Sequence, residues 1–206
     1  MSAINIIMVA FTALALFLLP SFYHLAPYLS DAVFRVRGSE ALEFSVSVSR
    51  ERNTIAYVLL IPFVLILSRY HIYEPSFIAQ LQGGWHILAC FGAFVVYCSL
   101  RILMYLLLRP RRHYENFRLA HRAVYTFFIL YMLVALPALG ILTVFDANDL
   151  VIKTVMLILL SLFYALFLVR KTQILLLSCG GLRTFSYLCA LEIFPTALMI
   201  VSAVVL

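Results

Sequence analysis

Apolar residues run along this chain in six blocks, separated by short polar or basic breaks. The blocks cover about Ala3–Tyr23, Asn53–Tyr70, Trp85–Leu108, Ala123–Phe145, Leu150–Val169 and Thr184–Leu206. Each is close to the roughly 20 residues that a helix needs to cross the hydrocarbon of a bilayer. The pattern predicts an all-α fold: one polytopic transmembrane helical bundle of about six spans, filling 1–206 as a single domain. The second block is the shortest and contains Pro62, so its ends are the least defined. Only Asp146-Ala147-Asn148-Asp149 separates the fourth block from the fifth, which predicts a tight helical hairpin. The first block has no basic leader and no small-residue cleavage site after it, so it reads as an uncleaved span.

Composition fits that reading. Of 206 residues, 65% are hydrophobic and 12% charged, too few polar groups to cover a soluble domain of this size. Cys90, Cys98, Cys179 and Cys189 form no C-x-x-C pair, so the chain shows neither a disulfide frame nor a zinc-finger pattern. They read as small core residues.

The charges are unevenly placed. Arg35, Arg37, Arg50 and Arg52 follow the first block. Arg109, Arg111, Arg112, Arg118 and Arg122 follow the third, and Arg170, Lys171 and Arg183 follow the fifth. The alternate connections hold Glu74, Asp146 and Asp149, flanked only by Arg69 and Lys153. Basic loops remain on the cytoplasmic face, so both termini are expected on the other side. The net charge of +6 therefore serves topology and lipid head groups, and no nucleic-acid motif accompanies it. In the long first basic loop, Phe34, Val36, Leu42, Phe44, Val46 and Val48 alternate with polar groups, which predicts a surface-lying helix or strand.

Glu192 is the only charged residue between Thr184 and Leu206. An unpaired carboxylate there costs roughly 2.5–3.5 kcal/mol on insertion scales. Arg101 is its natural counter-ion, since each lies eight residues from the basic end of its block. At about 1.5 Å per residue, both sit about 12 Å deep, so the two are expected to face one another. Tyr97, Cys98 and Tyr105 share the Arg101 face, while Cys189, Pro195 and Thr196 share that of Glu192. Pro195 removes the hydrogen bond to the Leu191 carbonyl and predicts a kink. Two readings stay open for this polar site: an ion pair that only sets helix register, or a proton relay, substrate counter-ion or docking patch.

Other polar groups carry less. His113 and His121 are too far apart for a metal pair without a third ligand, and His86, beside Trp85, reads as an interfacial belt residue with Tyr70 and Tyr73. No second axial ligand supports haem. Asp146 and Asp149 are a single D-x-x-D without basic partners, so Asp149 reads as the cap of the fifth span. Gly180-Gly181 marks a helix terminus, and Leu136-Pro137-Ala138-Leu139-Gly140 a kink and close-packing point. The chain carries no G-x-S-x-G, H-E-x-x-H or Walker sequence, hence no assigned catalytic, cofactor or metal residue.

The ending Tyr187-Leu188-Cys189-Ala190-Leu191-Glu192-Ile193-Phe194-Pro195 resembles the Y-L-C-x-L-E-I-x-P signature of a bacterial family of integral membrane proteins catalogued as a domain of unknown function. Ser49-Arg50-Glu51-Arg52 before the second span and the multi-span layout look alike too. The resemblance implies a bacterial inner membrane and makes Tyr187, Cys189, Glu192 and Pro195 a family feature, with no activity attached. The resulting candidate site is Glu192, Arg101, Tyr187, Cys189, Pro195, Tyr97 and Tyr105. The leading expectation is a non-enzymatic accessory or scaffold subunit of an envelope complex, whose partners are the bilayer and a membrane protein or second copy. A small-solute or proton-coupled transporter using Glu192 and Arg101 is the alternative. A membrane enzyme acting on a lipid or isoprenoid, with His113, Glu115 and His121, comes third.

Overall fold

The computed structural model describes residues 20, 22–32, 42, 45–81, 84–108, 114–177 and 180–205. All regular structure among them is helical: α1 (Val46–Arg69), α2 (Ser76–Ala79), α3 (Gly84–Leu108), α4 (Tyr114–Val144), α5 (Asp149–Leu176) and α6 (Gly181–Leu188). A five-residue π-helical segment, Cys189–Ile193, then joins α6 to α7 (Phe194–Val205). A further helical stretch covers 22–32 and buries Leu25, Leu29 and Ala32 at helical spacing. Five helical units are long and apolar enough to cross a membrane: α1, α3, α4, α5 and the composite α6–π–α7. The first expected span up to residue 19, the interleaved loop with Arg35 and Arg37, Arg109 to His113 and Cys179 lie outside the described residues.

At the basic end the helices run farther than the apolar blocks. α1 starts seven residues before Asn53, α4 nine before Ala123, and α5 ends seven after Val169. Arg50, Arg52, Arg118, Arg122, Arg170 and Lys171 are therefore helical residues rather than loop charges. Arginine and lysine are good helix formers, and hydropathy marks where hydrocarbon stops, not where backbone hydrogen bonding stops.

α4 and α5 form the most extensive helix pair, α1 packs on α3 and α4, and α3 also meets the π segment and α7. α1 is the inner helix: 56% of its most apolar window is buried in the protein, against 6% for α3. Phe63 on α1 is the hub of the core. Its ring meets Phe94, Phe128 and Tyr131 edge-on at 5.6, 5.3 and 6.0 Å, joining three helices. Such pairs add about 0.5–1.5 kcal/mol each beyond burial.

Several local expectations need correction. α4 continues through Pro137, and a side chain built at Gly140 would meet nothing within 4 Å, so that glycine is no close-packing point. Gly180-Gly181 does mark a helix terminus, Gly180 standing as the N-cap of α6. Asn148, not Asp149, caps α5, its side chain accepting from the Leu150 amide at 3.4 Å. The hairpin turn itself is tight. The Ala147 amide reaches back to the Leu142 carbonyl at 3.0 Å, with Asp146 at a left-handed φ of 48°. α1 ends in the same way, with Ile72 bonding back to Leu67 at 3.1 Å and His71 at φ 48°.

Candidate functional site

α3 and the composite helix bring Arg101 and Glu192 together, Nη2 donating to Oε1 at 2.6 Å. A third charge joins them: Lys171 Nζ from α5 donates to the same Oε1. Glu192 and Lys171 are each 1% exposed and Arg101 is 12% exposed. Their charges sum to +1. Oε2 of Glu192 and Nε of Arg101 have no protein partner. The ring of Phe167 lies 5.4 Å from the Arg101 guanidinium carbon and 5.7 Å from Lys171 Nζ, so one aromatic face supports both cations.

Lys171 is absent from the sequence-derived site because the charge pattern places it in a loop after the fifth block. A signal was there: Thr172-Gln173-Ile174-Leu175-Leu176-Leu177 follows without glycine or proline, so nothing stops the helix at Val169. Burial at the basic end extends further. Arg52 and Arg170 are buried as well, while Glu192 is the only buried carboxylate among the described residues. Arg170 Nη1 donates to Gln173 at 2.9 Å, and its Nε and Nη2 have no protein partner.

The disturbance expected from Pro195 takes the form of a π-helical segment around Glu192. Pro195 cannot donate to the Leu191 carbonyl, and the chain adjusts upstream by a π turn in which the Phe194 amide bonds to the Cys189 carbonyl. The Glu192 carbonyl accepts from the Thr196 hydroxyl and from Tyr164 on α5 at 3.2 Å, and Tyr164 and Thr196 meet at 2.9 Å. Cys189 opens the π segment as a half-buried free thiol, and Pro195 is buried behind it.

The remaining candidates separate into two groups. Tyr97 and Cys98 line a cavity of about 280 Å³ whose wall includes Arg101, His121, Tyr125 and Tyr164. The rest of the wall is dominated by apolar and aromatic groups such as Phe63, Phe94, Phe128 and Phe163. Tyr105 and Tyr187 do not themselves line the cavity. They belong to a stack in which Tyr187 meets Phe117 at 5.3 Å, Phe117 meets Tyr105 at 5.2 Å and Tyr105 meets His121 at 4.0 Å. His121 thereby joins the stack to the cavity. The cavity is chemically simple: an aromatic chamber with one guanidinium, whose charge is only partly cancelled.

At the opposite end of the bundle, His86 is not an interfacial belt residue. Trp85 is 70% exposed, but His86 is 9% exposed and its Nδ1 lies 2.9 Å from the Ser68 hydroxyl.

No protein-family model matches the chain, and no match was found among curated proteins or among solved structures.

Proposed function

We propose that this protein is a non-enzymatic bacterial inner-membrane component that holds the anionic head of an acyl-chain amphiphile against Arg101. One observation carries the reading: Arg101, which shares one carboxylate with the buried Lys171, lines a chamber whose other walls are mainly aromatic and apolar. Excess positive charge in a low-dielectric setting attracts an anion, while the aromatic wall suits a hydrocarbon chain. Arg101 is the group to supply the contact, since it is the one arginine or lysine on the cavity wall. The Y-L-C-x-L-E-I-x-P ending and the one-sided basic charge support the bacterial inner membrane, with those charges cytoplasmic. A proton-coupled or small-solute transporter is less well supported, because a wet path to Glu192 would need polar walls.

The test is the lipid content of protein purified from its own membranes, read by mass spectrometry. Wild type is expected to carry one acidic amphiphile enriched over bulk lipid, and Arg101→Met to lose it while Lys171 and Glu192 remain a neutral pair. Equal lipid content in the two proteins would contradict the proposal.

A second reading, an accessory subunit of an envelope complex, is favoured by α3, of whose apolar window 6% is buried inside the protein. A stoichiometric membrane-protein partner surviving mild-detergent purification would support it, and recovery alone or as a homo-oligomer would count against a stable complex.

A further inference from the structure

The connection from α1 to α3 brings together three groups that the membrane-embedded centre does not use. His71 Nδ1 lies 2.6 Å from Glu74 Oε1, and His86 Nε2 approaches the same oxygen at 3.8 Å. The three atoms all lie within 4.8 Å of one another. His86 is nine-tenths buried on the first turn of α3, and its Nε2 has no hydrogen-bond partner. Its Nδ1 is satisfied by Ser68 on α1 at 2.9 Å. The Ser68 hydroxyl can serve Nδ1 as acceptor, and in that tautomer Nε2 carries the lone pair that faces Glu74. A hydrogen bond at one ring nitrogen that orients the imidazole and leaves the other for an ion is the usual setting of a metal-ligating histidine.

His71 adds an independent observation. It occupies a left-handed φ of 48° at the end of α1, a conformation that glycine adopts more readily than histidine. The conformation turns its imidazole onto Glu74 and edge-on to His86, with ring centroids 5.4 Å apart. Cys90, one turn farther along α3, is outside the trio and has its thiol 3.9 Å from the Tyr73 carbonyl.

We propose that His71, Glu74 and His86 form a binding site for a first-row transition-metal dication of the zinc class. Two imidazoles and a carboxylate are a common three-residue zinc set and leave a fourth position for water. Zinc bonds of about 2.0–2.1 Å in tetrahedral geometry place ligands about 3.3 Å apart. The trio therefore closes on the ion mainly by rotation of His71 and Glu74, the more exposed members. Binding displaces the His71–Glu74 hydrogen bond and releases any proton held there. Hard cations such as magnesium prefer oxygen ligands and are excluded by this set. An occupied site would tie α1 to α3, and through the Tyr73–Ser202 hydrogen bond of 2.8 Å it would extend to α7.

The experiment uses the full chain in detergent, stripped with a chelator and titrated with ZnCl2, with CoCl2 as the spectroscopic probe. Wild type is expected to bind one zinc, to show tetrahedral cobalt absorption and to unfold at a higher temperature with metal than without. His71→Asn and Glu74→Gln should each weaken zinc binding at least about 100-fold, since loss of even an outer-shell partner costs about 10–100-fold. Both substitutions are tolerated by the local backbone, so the loss can be read in folded protein. His24→Asn, at the exposed His24–Glu51 pair elsewhere in the chain, should leave binding intact. Equal zinc affinity in wild type, His71→Asn and Glu74→Gln, or no zinc-induced change in unfolding, would overturn the assignment.

Discussion

The two polar clusters of this protein are built in opposite ways. The Arg101–Lys171–Glu192 centre draws its members from three helices and 91 residues of chain, and pairs both cations with one carboxylate. The His71–Glu74–His86 cluster comes from one connection and the first turn of the helix after it, and leaves an imidazole nitrogen without a hydrogen-bond partner. The difference follows from their surroundings. Inside the bilayer each charge must find a partner wherever the fold can bring one, so the centre is bound up with stability. At the end of the bundle the exposed His71 and the half-buried Glu74 are within reach of water, so these side chains are free to be arranged for a ligand.

The contrast can be broken in four measurable ways. Glu192→Gln leaves Arg101 and Lys171 as buried cations without a carboxylate and should destabilise by about 3–5 kcal/mol, read as denaturation in detergent. Combining it with Lys171→Met should restore part of the loss, whereas additive damage would mean that the cations do not share Glu192. Ser68→Ala should weaken zinc binding about 10–100-fold in a competition assay, without moving the stability of the stripped protein by a comparable amount. Tyr164→Phe removes the hydroxyl shared by the Glu192 carbonyl and Thr196, at a cost of about 1 kcal/mol in the same unfolding assay. Smallest is Glu74→Gln in stripped protein, expected within about 0.5 kcal/mol of wild type. A loss there as large as that of Glu192→Gln would remove the distinction between the clusters.

Much of this arrangement was legible in the chain. Hydrophobic blocks located the centres of the spans, because a bilayer demands length and apolarity together. Equal depth brought Arg101 to Glu192 before any geometry was available, because each charge needs the other in hydrocarbon. Helix ends were less legible: Arg52, Arg170 and Lys171 looked like stop signals, yet the helices carry them inward. Misplacing Lys171 hid the third member of the centre and its excess charge. The π segment has no residue code beyond Pro195, which predicts a disturbance and not its form. The histidine cluster stayed hidden for another reason. His71 and Glu74 are close in sequence, but His86 joins them only because α1 and α3 return to the same end and Ser68 turns its ring.

The claim that Arg101 holds an acidic amphiphile is tested most directly by photo-cross-linking a diazirine-bearing fatty acid to the purified protein and mapping the labelled peptides. The account predicts labelling at the cavity wall, in the segments around Tyr97–Ile102 and Phe163–Phe167, competed by unlabelled fatty acid and lost in Arg101→Met. Labelling confined to the exposed outer face of α3, or equally strong at the cavity in Arg101→Met, would contradict it.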